Sequence, residues 1–341
     1  MLKFPYLPEQ ETTFYEDLQK LEGLDLRDNR GKRHDLAFIL LGVFISLLRG
    51  RDGNLSSIHR SMVNLHEDLC LLLNVSIPKA ISRAQLPRIL AKVNLSKLED
   101  LVFTHFKITL DAEEKQWFAG DGKELRGSIN KGDKRGEVLV QLVRHEDGGV
   151  LGQTYYNGKK ESEKLALRDL LESQSAQTQK ISADALHLNP KTTALIEQAG
   201  GIFLIGLKED QKELFEDMSW YAKRFRPLNT YTTLDKGHGR IEQRIYACFD
   251  VSEEYFDPRW EKTKFRSLFQ VERKRTNLKS KEESQETAYY MSNAGGFDPE
   301  NQAAAMEYFN AIRGHWSVEV NNHIRDVSLK EDHFRTQKKT Y

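Results

Sequence analysis

The spacing of apolar positions divides the chain into two regimes. Up to about residue 110 the period is helical. Thr13–Leu21 is amphipathic, His34–Leu48 is almost wholly apolar, and Ser56–Leu73, Gln85–Val93 and Ser96–Phe106 place apolar residues three and four apart, the last opened by a serine in N-cap position. From about 111 to 215, short apolar runs alternate with helical stretches. Strands are predicted at Trp117–Ala119 leading into Asp121, at Glu137–Arg144 and Gly149–Tyr156 joined by an Asp147-Gly148-Gly149 turn, around Ile181–Asp184, and at Ile202–Leu207. Helices are predicted at Lys164–Gln174, at Lys191–Gln198 with Pro190 in N1 position and Gly200-Gly201 closing it, and at Lys212–Arg224.

The rhythm breaks near 226–290, where Ile241–Asp250, Phe269–Arg275 and Thr287–Met291 have strand composition. Nine lysines and arginines lie between Arg259 and Lys281 against Glu261 and Glu272, with Trp260 and Phe265 interleaved. Such a segment reads as a nucleic-acid surface, cations for phosphates and rings for unpaired bases, or as a solvated hairpin tip. The end of the chain returns to helix, Glu300–Arg313 and then a run centred on Glu319.

Length and charge add bounds. At 341 residues two domains are the natural expectation, and 51 acids balance 51 lysines and arginines, so only local segregation of charge points to a partner. Arg49, Arg51, His59, Arg60, Arg83 and Arg88 of the helical region are either phosphate contacts or solvated charges on a scaffold. Two cysteines, Cys70 and Cys248, exclude a disulfide framework or a zinc motif and fit a reducing cytoplasm. The longest apolar run, Leu36 to Leu48, is too short to span a bilayer, and the N-terminus carries acids where a leader would be apolar.

Candidate chemistry centres on Phe118–Ser128, where Gly120 and Gly122 bracket Asp121, and Lys123 and Arg126 follow. Asp-Gly is also the commonest hairpin signal, so a plain turn is the competing reading. A second acid, Asp184, sits near the end of another short strand, and Glu319 sits on a helix. Two strand-borne aspartates and a helix-borne glutamate supply the hard oxygen donors that Mg²⁺ or Mn²⁺ takes for phosphoryl transfer. His315, Glu319 and His323 recur every four residues on one helix face, which leaves zinc as a rival. Asp326, seven residues past Glu319, is placed to brace a neighbour.

The segments GDGKELRGS, SADALH, GLKEDQ (Gly206–Gln211), KGHGRIEQR (Lys236–Arg244) and IRGHWSVE with its RDVSLKED tail occur in this order over most of the chain. Together they resemble the H-repeat-associated branch of bacterial insertion-sequence DDE transposases. The resemblance implies an α/β (α+β) architecture: an N-terminal helical domain (1–110), an RNase H-like catalytic core (111–225), a β-rich basic insertion (226–290), and a C-terminal helical part carrying the third acid (291–341). The order of three strands, helix, strand, helix, strand is compatible with that core. The resemblance further implies metal-dependent DNA strand cleavage and strand transfer by Asp121, Asp184 and Glu319, holding two Mg²⁺ or Mn²⁺ ions. The implied partners are double-stranded DNA at the element's ends and target, and a second copy in the DNA complex. The resemblance also implies no membrane partner and a place of action in the bacterial cytoplasm, at the nucleoid. Lys123, Arg126, Lys208, His238, Arg240, Arg273, Lys274, Arg275, Arg313 and His315 are the candidate DNA contacts. Two departures stand out: Val320 occupies a position where many relatives have asparagine, and relatives usually continue into another apolar helix where this chain has polar, basic His333–Tyr341. A truncated, non-catalytic DNA-binding remnant and a general RNase H-like nuclease are therefore the alternatives.

Overall fold

A computed structural model describes residues 12–333 apart from 51–53, 107–109, 111–113, 130, 131, 133, 157–159, 238 and 329. Arg51 and His238 thus lie outside the described residues. The first five helices are α1 (Phe14–Lys20), α2 (Leu36–Leu48), α3 (Leu55–Leu72), α4 (Leu86–Leu90) and α5 (Leu95–His105). Their starts are set by short polar side chains that accept the otherwise unpaired first backbone N–H groups. Thr13 and Glu16 form a capping box on α1, Asp35 caps α2, and Asn54 caps α3. Helix α5 starts two residues earlier than a cap at Ser96 suggested, because Asn94, whose side chain accepts from Lys97 N–H, takes the cap from Ser96. These helices bury a core of their own around Leu18, Phe38, Leu40, Ile58 and Leu86.

The remaining strands form one nine-stranded sheet in the order β3-β2-β1-β4-β5-β9-β8-β7-β6. They are β1 (Trp117–Glu124), β2 (Val138–Arg144), β3 (Val150–Tyr156), β4 (Lys180–Ala183), β5 (Ile202–Leu207), β6 (Asn229–Gly237), β7 (Arg240–Asp250), β8 (Ser267–Asn277) and β9 (Glu283–Ser292). Strands β1, β4 and β5 are mutually parallel, and β2 and β3 fold back antiparallel on β1. That is the strand order of an RNase H-like core. The strands of the 226–290 segment form an antiparallel meander that adds to the far edge, β9 pairing with β5 from Leu204↔Ser292 to Leu207↔Tyr289.

Helices cover both faces, and strand parity decides which side chain goes where. On one face α6 (Lys160–Ser173), α7 (Pro190–Gln198) and α8 (Lys212–Arg224) pack over Phe118, Val140, Ile181, Phe203 and Leu268. On the other, α9 (Ala303–Gly314) packs over Tyr246, Cys248 and Phe269, and Val318 of α10 (Trp316–His323) packs over Ala119 and Val143. Among the described residues no helix is long and apolar enough to cross a membrane.

Two expectations are corrected here. Strand β6 gives no periodic apolar signal, because it is a sheet edge whose side chains are mostly exposed and include Asp235 and Lys236. Trp260 and Phe265, expected among the cations as base-stacking rings, are 2% and 3% exposed and pack on each other with ring centroids 5.0 Å apart. They anchor the β7–β8 connection to the core. Trp260→Ala is therefore expected to destabilise the fold by about 3–5 kcal/mol in urea denaturation, the cost of emptying a large aromatic site. A change under about 1 kcal/mol would contradict its structural role.

Candidate active site

The parallel pairing of β1 with β4 ends in the register Gly120↔Ala183, so the next residues, Asp121 and Asp184, stand side by side. Adjacent strands are about 4.8 Å apart, which brings two carboxylates to one point on the sheet. Strand β1 does not stop there. Asp121 pairs with Gln141 and Gly122 with Val140, which overturns the turn reading of Asp-Gly. The glycines serve close packing instead: a Cβ at Gly120 would lie 2.8 Å from Leu167 Cδ1, and one at Gly122 would lie 2.8 Å from Glu163 Oε1. Asp184 follows β4 directly and accepts the Leu186 N–H at 3.0 Å, capping a short turn, Ala185–His187.

Burial, and then the charge of Asp184, push the Asp121 carboxyl up to about 7. Glu163 adds to the repulsion, while the Gly122 N–H and His187 oppose it. His187 is wholly buried, its Nε2 3.6 Å from Glu163 and 3.9 Å from Asp184, and neither ring nitrogen has a hydrogen-bond partner. The Tyr156 hydroxyl donates to the other Glu163 oxygen at 2.5 Å. On the opposite side of β1, Asn322 of α10 donates to Asp121 Oδ2 at 3.3 Å.

Glu319 comes from α10, one residue past the buried Val318 and three before Asn322, so it lies on the face of the sheet that carries Asp121. Burial raises its carboxyl above the usual range. It opens towards a groove instead of closing on the aspartates. Among the described residues no three acids, histidines or cysteines converge tightly enough to hold a metal ion, and this applies equally to the zinc reading. His315 precedes α10 and bonds Ser182 Oγ at 3.1 Å, which in turn meets His145 Nε2 at 2.8 Å. Burial drives His315 down to about 4 and His145 to about 3, so this strut between α10 and β4 is uncharged near neutral pH. His323 is exposed.

The groove, about 660 Å³, runs along the outer part of the sheet beside α10 and collects Lys208, Arg240, Arg273, Arg275, Arg313 and Glu319. Its cations come from strand parity: Val271, Arg273 and Arg275 share one face of β8, and Lys274 is exposed on the other. At the centre lies Glu242, only 4% exposed, with Arg273 3.7 Å and Arg275 3.0 Å away and Arg244 bonded to it as well. These cations hold its carboxyl below the ordinary range, although burial, the largest influence, pushes the other way. Arg240 lies 3.6 Å from the same glutamate, and Arg313 lies 3.6 Å from Asp235.

Two candidates are placed differently. Lys123 is buried, with Nζ 2.6 Å from Asp326 and 2.8 Å from Glu331, so Asp326 braces it as expected. Arg126 is exposed, and its backbone N–H donates to Asp332 at 3.2 Å. Glu163, His187, Asn322, His145 and Ser182 carried no signal in the sequence, and His315, read there as a DNA contact or a zinc ligand, instead completes the strut with the last two. They lie on separate elements and meet only through the sheet.

These features define an RNase H-like mixed α/β protein with paired aspartates at the junction of β1 and β4. No family model matches the chain. "Putative protein YbfL" of Escherichia coli K12 is 27% identical over 253 residues, 72% of this chain and 65% of that protein. "Putative transposase YncI" of E. coli O157:H7 is 26% identical over 263 residues, 74% of this chain and 64% of that one. "H repeat-associated putative transposase YhhI" of E. coli K12 is 26% identical over 321 residues, 90% and 81% respectively. The chain thus spans slightly less than two thirds of the first two relatives, and its likeness to proteins named as H repeat-associated transposases is borne out.

The repulsion at Asp121 has a measurable sign. An acid whose folded pKa lies above its unfolded value destabilises the fold once ionised, a penalty absent below about pH 4 and growing as pH rises towards 7. Asp121→Asn is therefore expected to raise the melting temperature of the metal-free protein at pH 8 by a few degrees. Each kcal/mol relieved is worth roughly 2–4 °C in domains of 150–250 residues. The gain should shrink towards pH 4, as followed by thermal melts at both pH values. A melting temperature lowered at pH 8 would remove the repulsion from the account.

Proposed function

We propose that the protein is a DNA transposase whose strand cleavage and transfer are carried by Asp121, Asp184 and Glu319. The observation that supports this most is the β1–β4 register, which sets Asp121 beside Asp184 on the sheet face shared with α10. The chemistry of the pair fits a divalent cation. Both donors are hard oxygens, and a buried carboxylate repelled by the half-exposed one beside it gains from a cation between them. Mg²⁺ or Mn²⁺ held by Asp121 and Asp184 would help activate an oxygen nucleophile and neutralise the leaving oxygen of a phosphodiester, with Glu319, which stands apart from the pair here, as the third donor.

The protein's own groups do the rest. Arg273, Arg275, Arg240, Arg313 and Lys208 offer charge to the phosphates along the groove. Asn322 orients the Asp121 carboxylate, and neutral His315 ties the start of α10 to β4, which fixes the helix that carries Glu319. Relatives named as transposases support DNA as the substrate. A second reading, a DNA-binding remnant without cleavage, draws on Glu319 standing apart from the aspartates. It keeps the groove and loses the chemistry.

Nicking of an end-bearing duplex in Mg²⁺ separates the two. Asp121→Asn, Asp184→Asn and Glu319→Gln are each expected to lower the cleavage rate by at least ~100-fold, about 2.7 kcal/mol of barrier, while leaving affinity for the duplex within a few-fold. Chelation should abolish cleavage, and Ca²⁺ should support binding with little chemistry. Cleavage at the unaltered rate by either aspartate variant would defeat the assignment.

The groove makes a separate prediction. Arg273→Ala with Arg275→Ala should weaken binding to all sequences and flatten the log–log salt dependence by up to about 0.9 for each phosphate that is no longer neutralised. Lys274→Ala, on the other face of β8, should change the slope less. Equal effects from the two changes, measured by fluorescence anisotropy over a salt series, would place the DNA path elsewhere.

A further inference from the structure

Two stretches singled out in the sequence, GDGK at Gly120–Lys123 and the RDVSLKED tail at Arg325–Asp332, meet in space at one ammonium group. Lys123 is 8% exposed, and its Nζ lies 2.6 Å from Asp326, 2.8 Å from Glu331 and 3.8 Å from Asp332. Burial, the largest influence, works against its charge, but the acids outweigh it and hold the group above the ordinary lysine range. Arg325 takes the other Glu331 oxygen, and the Arg126 backbone N–H donates to Asp332 at 3.2 Å. The Lys123 charge is thus taken up by carboxylates of its own chain.

The place of this cluster gives it leverage on the site. Asp121 and Lys123 are two residues apart on β1 and so share the face that α10 covers. Helix α10 runs straight into the turns Ile324–Ser328 and Glu331–His333, which carry the acids. Its start is tied to β4 through His315 and Ser182, and its last turn reaches Asp121 through Asn322, four residues before Asp326. Between these ends its hold on the sheet is thin. Val318 is buried and Asn321 donates to the Gly148 carbonyl at 2.9 Å, while Glu319 and Val320 are exposed. A helix of eight residues has little stability of its own and takes its place from what it packs against.

We infer that Lys123 is a positioning residue: its ion pairs with Asp326 and Glu331 latch the far end of α10 to β1 and keep Glu319 and Asn322 on the face of the sheet that carries the paired aspartates. The consequence for cleavage rests on the transposase reading; the latch itself does not. The inference moves Lys123 from the DNA path, where its neighbours in sequence put it, to the support of the site. A neutral residue at 123 would leave the carboxylates of the tail against the sheet without their counter-charge, and breaking a buried pair on one side only is strongly destabilising.

Hydrogen exchange of the full chain in chelator and without DNA, followed by mass spectrometry, reads the latch directly. Lys123→Met, and separately Asp326→Asn with Glu331→Gln, are each expected to speed exchange of the α10 amides at least ~10-fold, while β7–β9, α2 and α3 exchange as before. The second variant leaves β1 unaltered and decides the matter if Lys123→Met does not fold. Lys212→Met, the same substitution in an exposed pair with Glu216 on α8, should leave α10 unchanged. In duplex binding over a salt series Lys123→Met should keep the native slope, whereas loss of a phosphate contact would flatten it by up to about 0.9. Nicking in Mg²⁺ should fall at least ~10-fold in both latch variants, as misplacement of a reacting group demands. Unchanged α10 exchange in the double variant, exchange that rises equally throughout the sheet, a flattened salt slope in Lys123→Met, or native nicking by a variant whose α10 is loosened would each overturn the inference and leave the transposase reading standing. Loosened α10 in the variants of a native protein that nicks no duplex would keep the latch and overturn that reading.

Discussion

The site depends on one constraint, the parallel hydrogen bonding of two short strands that forces Asp121 next to Asp184. Neither carboxylate chooses its neighbour; the register from Trp117↔Lys180 to Gly120↔Ala183 does. Everything around the pair either bears the resulting repulsion or makes room for it. Gly120 and Gly122 let α6 approach β1, Asn322 donates to Asp121 from the other side, and His187 lies buried between Glu163 and Asp184. A sheet that spends stability on a buried acid set beside a second one is characteristic of a binding or catalytic site.

The same sheet carries the basic groove. Because β9 pairs with β5, the antiparallel meander extends the core sheet, and the cations of β7 and β8 fall on the face that α9 and α10 cover only in part. The uncovered remainder is the groove. Its arginines are spaced around Glu242, which gathers guanidinium groups that would otherwise repel one another and keeps them beside the path leading to α10.

The helix boundaries and the core strands were legible because their signals are local. Capping side chains, Pro190 before α7 and runs such as Ile202–Leu207 each act within a few residues. Boundaries failed where two local signals competed. Asp121-Gly122 has the composition of a turn, yet β2 on one side and β4 on the other supply backbone partners that hold it extended. The edge strand β6 went unseen for the opposite reason, as an edge can be polar and still pair through its backbone.

By itself the sequence determined the helical first third, the alternating core, the identity of the three candidate acids and the presence of a basic segment, since composition and spacing are properties of single stretches. Tertiary structure decided how those parts are used. It buried Trp260 and Phe265, whose place among cations had allowed a DNA-facing reading. It turned Lys123 inward to Asp326 and Glu331, sorted Arg273 and Arg275 from Lys274 by strand parity, and left Glu319 facing the groove. The physical reason is common to all of these. Whether a ring or a charge faces solvent depends on which elements pack across the sheet from it, and no window of sequence contains both sides of that packing.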